Sequence, residues 1–234
     1  MVLFGTLVNG IAIIVGAWFG IKIKGFSPAM RDTVMKAIGL AVLVLGLTMA
    51  LEGQQFLITI FSLTLGGVIG ERMNIEGKLN EVGNWIERRM KRTGGGKVAE
   101  GFVAATLLYV VGAMAIIGAL DSGMRQDHSV LLIKSVLDGF SSIVFAATMG
   151  IGVMFSAIPV IIYQGGIALA ATVMTKNIPE PIFDVIIIEL TAVGGVMIIG
   201  IGLNILGLPK IRVANLLPAL VIAVTLAIVY YIWL

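Results

Sequence analysis

Residues 186–204, IIIELTAVGGVMIIGIGLN, form an almost uninterrupted apolar run with a single acid near its start. A helix needs about 20 apolar residues to cross the roughly 30 Å of hydrocarbon in a bilayer. Glu189 stands inside this run, although a charge within the membrane costs several kcal/mol unless it is paired or hydrated. The stretch therefore predicts a transmembrane helix and marks Glu189 as a candidate functional residue.

The composition extends this prediction to the whole chain. Of 234 residues, 59% are hydrophobic and 12% are charged, and the mean hydropathy is +1.07. Soluble domains carry about 25% charged residues. The fold class is therefore all-α, a polytopic transmembrane helical bundle that forms a single transmembrane domain over residues 1–234. The absence of cysteine excludes disulfides and thiolate sites.

The apolar runs predict about eight spans, with seven as the alternative. They cover residues 2–21, 35–51, 55–70, 101–120, 134–155, 157–175, 182–207 and 213–233. We divide the long stretch 134–175 at FSAIP because Pro159 cannot continue the hydrogen-bond ladder of a helix. A single broken or re-entrant span remains the alternative there.

The basic residues predict the orientation. With the N-terminus outside, the loops 22–36, 71–100 and 208–212 are cytoplasmic, as the positive-inside rule favours. These loops hold most of the Lys and Arg residues: Lys22, Lys24, Arg31, Lys36, Arg72, Lys78, Arg88, Arg89, Lys91, Arg92, Lys97, Lys210 and Arg212. No basic segment precedes the first span, so we expect no cleaved signal. The sequence predicts a multi-pass membrane protein with its N-terminus outside.

The cytoplasmic segment 75–92 predicts an amphipathic helix at the membrane surface. Its apolar stripe consists of Ile75, Leu79, Val82, Ile86 and Met90. The candidate lipid-contacting residues are Trp85, Arg88, Arg89, Lys91 and Arg92. The helix either binds lipid or a cytosolic partner, or it simply connects two spans.

Polar residues within the spans are the remaining candidates. The transport or ion-coupling set is Glu189, Asp138, Asn9, Gln164, Asn204, Ser141, Ser142 and Thr191. Lys134 lies one turn before Asp138, so a local ion pair is the structural alternative for that acid. Glu189 has no basic neighbour at helical spacing, so it contacts water, pairs across helices or is protonated. The amides either bridge helices or bind an ion or polar solute.

A weak internal similarity predicts an inverted repeat. Residues 9–20 and 27–51 resemble residues 164–175 and 179–206, and the match aligns Asn9 with Gln164. Repeats of inverted topology build many transporters, with the substrate site between the copies.

Catalysis has little support in the sequence. His128 is the only histidine, so a His-based metal cluster or triad is not expected. TGGGK at 93–97 lacks the spacing of a phosphate-binding loop. We expect no enzyme activity, cofactor, metal or nucleic-acid partner. A membrane hydrolase with Asp138 and Glu189 on facing helices is the remaining alternative.

Four segments resemble the bacterial YqgA/YdfK family, also known as domain of unknown function 554. They are FGTLVNGIAIIVGAWFG (4–20), VGAMAIIGALDSG (111–123), DHSVLLIKSVLDGFSSIVFAATMGIGVMFSAIPV (127–160) and a segment from Glu189 to Leu220. The resemblance covers essentially the whole chain and implies a polytopic inner-membrane protein, loosely described as a transporter or channel. It assigns no role to any residue.

Together these observations predict a small transporter or channel for an ion or small polar solute, with coupling to protons or sodium as an option. Glu189 would be the coupling acid and Asp138 a second charged site. We expect a homodimer or higher homo-oligomer, because one small bundle offers little wall for a sealed pathway. The alternative is a non-transporting membrane scaffold or regulator that binds lipid or a cytosolic partner.

Overall fold

The protein folds as α-helices, which confirms the predicted fold class. The structure is a computed structural model and describes residues 1–23, 28–89, 97–111, 113–174, 180–208 and 210–233. Its helices are α1 (Phe4–Lys22), α2 (Pro28–Ala50), α3 (Phe56–Met73), α4 (Ile75–Arg89), α5 (Lys97–Val110), α6 (Ala113–Met124), α7 (Ser129–Met149), α8 (Gly152–Phe155), α9 (Ala157–Met174), α10 (Glu180–Ile205) and α11 (Pro218–Trp233), with a 3₁₀ helix at Val213–Leu216.

Seven stretches of the described chain are long and apolar enough to cross a membrane. They are Phe4–Lys22, Asp32–Ala50, Phe56–Met73, Ser129–Met149, Gly152–Thr172, Asp184–Ile205 and Val213–Trp233. An eighth candidate consists of α5 and α6 together, whose axes differ by 58°. This bent pair corresponds to the span predicted at 101–120.

The boundary between the fifth and sixth spans differs from the prediction. The sequence suggested a break at Pro159, but α7 already ends at Met149. Gly150 follows it with a φ of 84°, a conformation that favours glycine. Pro159 lies in the first turn of α9, where a backbone N–H has no partner within the helix. The two predicted spans are present and α8 and α9 do divide at Ser156, but the boundary between the spans lies near Gly150, because proline is compatible with the first turn of a helix.

The chain divides into two compact units. Unit 1 comprises Met1–Asp32, Leu79–Val110 and Met114–Lys176, and unit 2 comprises Thr33–Lys78, Val111–Ala113 and Asn177–Leu234. The single domain expected over residues 1–234 stays a prediction.

In unit 1, α1 packs against α7 and α9. α1 runs parallel to α7 and antiparallel to α9, as neighbouring residues along the helices show. The neighbours are Gly5 with Leu131 and Gly20 with Ile143 for α1 and α7, and Leu3 with Gly165 and Gly10 with Ile161 for α1 and α9.

In unit 2, two antiparallel helix pairs meet along their lengths. The first pair is α2 with α10, and the second is α3 with α11. The neighbours are Gly39 with Leu206 and Gly46 with Ile199 in the first pair, and Gly66 with Ala219 and Gly70 with Asn215 in the second.

These helix directions favour eight crossings over seven. Parallel packing of α1 and α7 requires an odd number of crossings between them. Since α2 and α3 supply two, the bent pair α5 and α6 must supply the third. Antiparallel packing of α3 and α11 requires an even number of crossings between them. The helices α7, α9 and α10 supply three, so the bent pair α5 and α6 completes four. The helix directions within each unit therefore lead separately to eight crossings.

The same directions agree with the predicted inverted repeat. The repeat matches α1 with α9 and α2 with α10, and each of these pairs is antiparallel within its own unit. Opposite direction is what an inverted repeat requires of its matching helices. The repeat itself stays a prediction.

The apolar stripe of α4 contributes to the core of unit 1. Ile86 packs with Val98 and Phe102, and Leu79 borders this cluster. Val82, on the same stripe, is instead 47% exposed. Part of the stripe is therefore covered by protein, whereas membrane contact by the exposed part stays a prediction.

Candidate functional site

A chain of buried polar side chains crosses unit 1 from α7 through α1 to α9. It begins with the ion pair between Lys134 and Asp138, in which the ammonium lies 2.9 Å from each carboxylate oxygen. Asn9 donates a hydrogen bond from Nδ2 to Oδ2 of Asp138 at 3.0 Å. All three side chains are buried. The local ion pair considered from sequence is therefore present, and it is also tied to a second helix.

Gln164 extends the chain to α9. Its Oε1 accepts a hydrogen bond from Nδ2 of Asn9 at 3.2 Å, and Asn9 and Gln164 are both fully buried. These are the two amides that the predicted repeat aligns. Asn9 Oδ1 and Gln164 Nε2 have no hydrogen-bond partner within the described protein. Such unpartnered buried polar atoms are uncommon because each costs about 1–3 kcal/mol.

The orientation of both amides follows from the acid. A carboxylate only accepts hydrogen bonds, so Asp138 requires the nitrogen of Asn9 to face it. The same Asn9 nitrogen also donates to Gln164, so Gln164 must turn its oxygen toward Asn9. The unpartnered positions are therefore an acceptor on Asn9 and a donor on Gln164. Thr6, one turn before Asn9 on α1, adds a buried hydroxyl that also has no partner in the described protein.

Glycine brings the helices close enough for these short side chains to meet. A side chain at Gly16 would collide with the carbonyl oxygen of Gly139, so glycine is required where α1 and α7 cross. Close approach of helices through small residues is typical of membrane bundles. It allows Asn9, a short residue, to reach Asp138 directly.

Tyr109 belongs to the same region but was missed from the sequence. Its hydroxyl lies 2.9 Å from the Ser142 hydroxyl and accepts a longer hydrogen bond from Ser141 at 3.4 Å. Ser141 also donates to the backbone oxygen of Asp138 at 3.1 Å. Ser141 thus contacts the backbone of Asp138, whereas a site that the serines share with the Asp138 carboxylate stays a prediction. The missed signal is a tyrosine inside the apolar run TLLYVV, since a buried hydroxyl usually has a partner.

Glu189 occupies a different environment in unit 2. Its Oε1 accepts hydrogen bonds from the backbone N–H groups of Gln54 at 3.1 Å and Gln55 at 2.9 Å. Gln55 immediately precedes α3, where a negative charge is favoured by the helix dipole. Oε2 has no hydrogen-bond partner in the described protein, and the residue is 1% exposed. Glu189 thus contacts another helix end rather than a basic residue.

Two further candidates make local hydrogen bonds in unit 2. Thr191 donates to the backbone oxygen of Ile187, one turn earlier on α10, at 2.7 Å. Asn204 donates to the backbone oxygen of Ile211 and accepts from its N–H, at 2.7 and 2.8 Å. These contacts close a helical turn and a loop, so neither residue belongs to the polar chain of unit 1.

A second polar cluster joins the end of α3 to the chain before α11. Glu71 pairs with Arg212 and accepts a hydrogen bond from Nδ2 of Asn215 at 2.6 Å. Asn215 Oδ1 accepts from the backbone N–H of Glu76 at 2.8 Å. Burial raises the pKa of Glu76 above 4.5, although a hydrogen bond from the Ala214 backbone opposes this.

The predicted lipid-contacting residues are only partly described. Trp85, Arg88 and Arg89 are exposed on the last turns of α4. The Arg89 guanidinium lies 5.8 Å from the centre of the Trp85 ring. Lys91 and Arg92 lie outside the described residues.

A family profile described as "Protein of unknown function (DUF554)" matches residues 4–228. The chain belongs to this family. It is 35% identical over 225 residues to YdfK of Bacillus subtilis (strain 168), described as an uncharacterised membrane protein, which covers 94% of this chain and 93% of that relative. It is 29% identical over 235 residues to the uncharacterised YqgA of Escherichia coli (strain K12), covering 98% of each. No solved structure matches the chain significantly. The suspected family is confirmed, as is membership among membrane proteins with several transmembrane helices.

Proposed function

We propose that this protein is a small membrane transporter or channel whose solute site is the buried polar chain of Asn9, Gln164 and Asp138. The observation that carries the proposal is the pair of unpartnered atoms on Asn9 and Gln164, both fully buried between helices of unit 1. A structural bridge is expected to satisfy its polar atoms, whereas a binding site leaves some of them for the solute.

This proposal moves the charged site from Glu189 to Asp138. Glu189 makes two hydrogen bonds to the backbone before α3, so one of its two carboxylate oxygens is already held by a helix end. Asp138 is joined to two other helices through Asn9 and Gln164. A solute bound there would contact several helices at once, as alternating access requires.

The location and assembly of the protein follow from the same proposal. We place it in the bacterial inner membrane, with the N-terminus outside and with the lipid bilayer as its surroundings. A homodimer or higher homo-oligomer would complete the wall of the pathway. No step of this function requires bond chemistry, a cofactor or nucleic acid, so we assign no enzymatic activity.

Flux measurements on the purified full chain in proteoliposomes test the proposal. The panel contains Na⁺, K⁺, Cl⁻, urea, acetamide and glycerol, each compared with protein-free liposomes. We expect flux of at least one solute, reduced at least tenfold by Asn9→Leu. Thr148→Val is the matched control, because Thr148 is buried in unit 1 but bonds only to its own helix. Equal flux in the two variants would reject the site.

The alternative function is a non-transporting scaffold, and one observation favours it. Trp85 is exposed beside Arg89 at the end of α4, a combination that suits an anionic membrane surface. The scaffold function predicts that neutralising Arg88, Arg89, Lys91 and Arg92 abolishes the cellular phenotype while Asn9→Leu is silent. The transporter predicts the reverse.

A further inference from the structure

We infer that the site in unit 1 takes a small solute without net charge that carries a hydrogen-bond donor beside an acceptor. Primary amides, ureas and small alcohols have this chemistry. The inference rests on the proposed transport function and specifies the class of its substrate. This substrate class is narrower than the one predicted from the sequence, which includes ions as well as polar solutes.

The charge of the site argues against an ion. Lys134 lies 2.9 Å from both carboxylate oxygens of Asp138, so the two charges offset each other. Both side chains are at least nine-tenths buried. An entering cation or anion would have to displace one partner and leave the other charge buried and unpaired, which is strongly unfavourable. A neutral solute leaves the ion pair intact.

The unpartnered atoms define the polarity of the solute. Asn9 Oδ1 can accept a hydrogen bond and Gln164 Nε2 can donate one, and the two amides are already joined at 3.2 Å. A complementary solute therefore donates to Asn9 and accepts from Gln164. The Thr6 hydroxyl can take either role. A site with fixed buried donors and acceptors rejects analogues that lack the matching groups.

Swelling of proteoliposomes loaded with urea, acetamide or glycerol tests the inference, with and without a membrane potential of about 100 mV. We expect the full chain to pass at least one of these solutes several-fold faster than protein-free liposomes, at a rate that the potential leaves unchanged. For a singly charged solute the same potential would change accumulation about 50-fold. Currents of Na⁺, K⁺ and Cl⁻ are expected to stay at the protein-free level.

Gln164→Glu is the decisive variant because it keeps the shape and the acceptor for Asn9 but replaces the free donor with a charge. We expect it to lower urea, acetamide or glycerol flux at least tenfold. Gln126→Glu makes the same chemical change at an exposed residue of unit 1 and is expected to stay within twofold of the unaltered protein.

Thr6→Val distinguishes recognition from folding. The Thr6 hydroxyl has no partner in the described protein, so its removal is expected to leave the unfolding temperature unchanged or higher. If Thr6 contacts the solute, flux nevertheless falls several-fold. This variant keeps the inference testable if Gln164→Glu does not fold.

The outcomes separate the inference from the function. Ion flux that is lost in Asn9→Leu would overturn the uncharged class and leave the transport site in place. Absence of flux for every probe, or equal flux in Asn9→Leu and Thr148→Val, would overturn the proposed function and this inference with it. Uncharged flux that is unaffected by both Gln164→Glu and Thr6→Val would overturn the recognition argued here.

Discussion

The two acids that the sequence singled out, Asp138 and Glu189, are both buried but satisfied in different ways. Asp138 contacts side chains, an ammonium on its own helix and an amide on another. Glu189 contacts backbone N–H groups at the start of α3. The partners of Asp138 are therefore set by the identity of neighbouring side chains, whereas the partners of Glu189 are set by the position of the backbone before α3.

The unpartnered atoms differ in the same way. Around Asp138 both carboxylate oxygens are bonded, and the unpartnered positions lie on the neutral amides Asn9 and Gln164. At Glu189 the unpartnered position is an oxygen of the acid itself. A neutral amide can meet a polar solute without any change of charge. The stronger candidate for a solute site is therefore the one whose acid already has its charge compensated.

The largest effect is expected from Lys134→Met. It leaves the Asp138 carboxylate buried without its cation, and removing one partner of a buried ion pair typically costs about 3–5 kcal/mol. We expect loss of folded protein, or a large decrease in the thermal unfolding midpoint in detergent. The double variant Lys134→Met/Asp138→Asn is the control, because it removes both charges and keeps an acceptor for Asn9. Equal stability of the single variant and the unaltered protein would show that the pair is not a structural unit.

The second prediction separates the two roles considered for Glu189. Glu189→Leu leaves two backbone N–H groups without an acceptor, and each such group costs about 1–3 kcal/mol when buried. Glu189→Gln keeps an acceptor, so we expect it to cost about 1 kcal/mol and to leave flux within twofold. Unfolding midpoints and proteoliposome flux check both variants. A tenfold loss of flux in Glu189→Gln would instead support the sequence-based prediction that Glu189 is the coupling acid.

The sequence predicted the fold better than the environments of these residues. The length of an apolar run is a local property of the sequence, so the spans could be found without knowing what each helix packs against. The ion pair of Asp138 was also local, one turn from Lys134. The contact between Asn9 and Asp138 joins residues 129 positions apart. It depends on the close crossing at Gly16, which no single segment of sequence reveals.

Glu189 shows the other limit of sequence reasoning. Its partners are backbone groups of residues 54 and 55, and a backbone donor leaves no mark in the amino-acid sequence. The side chains near Glu189 in the sequence therefore do not indicate these partners. Tyr109 was missed for a different reason, since its hydroxyl is a small polar group in an apolar run and its serine partners lie on another helix.

The third prediction concerns the serine side of the Asp138 region. Tyr109→Phe removes the hydroxyl that joins Ser142 and Ser141. We expect a loss of about 1 kcal/mol in the free energy of unfolding, typical of one net hydrogen bond. Flux is expected to fall no more than threefold, since neither unpartnered amide is altered. Measured flux that falls as far as in Asn9→Leu would place Tyr109 in the solute site itself.

The smallest effect is a pH dependence at Glu76, a third buried acid that lies outside the spans. Burial raises its pKa in the folded state above the unfolded value of 4.5, so ionisation is less favourable in the folded protein. Its contribution to stability is therefore greatest below pH 4.5 and falls as pH rises through the folded pKa. We expect unfolding midpoints of the unaltered protein to decrease over this range relative to Glu76→Gln, which cannot ionise. Parallel curves for the two proteins would show that the carboxylate gains as much from the Ala214 hydrogen bond and nearby cations as it loses through burial, and Glu76 would then resemble Glu189 as an acid stabilised by backbone contacts.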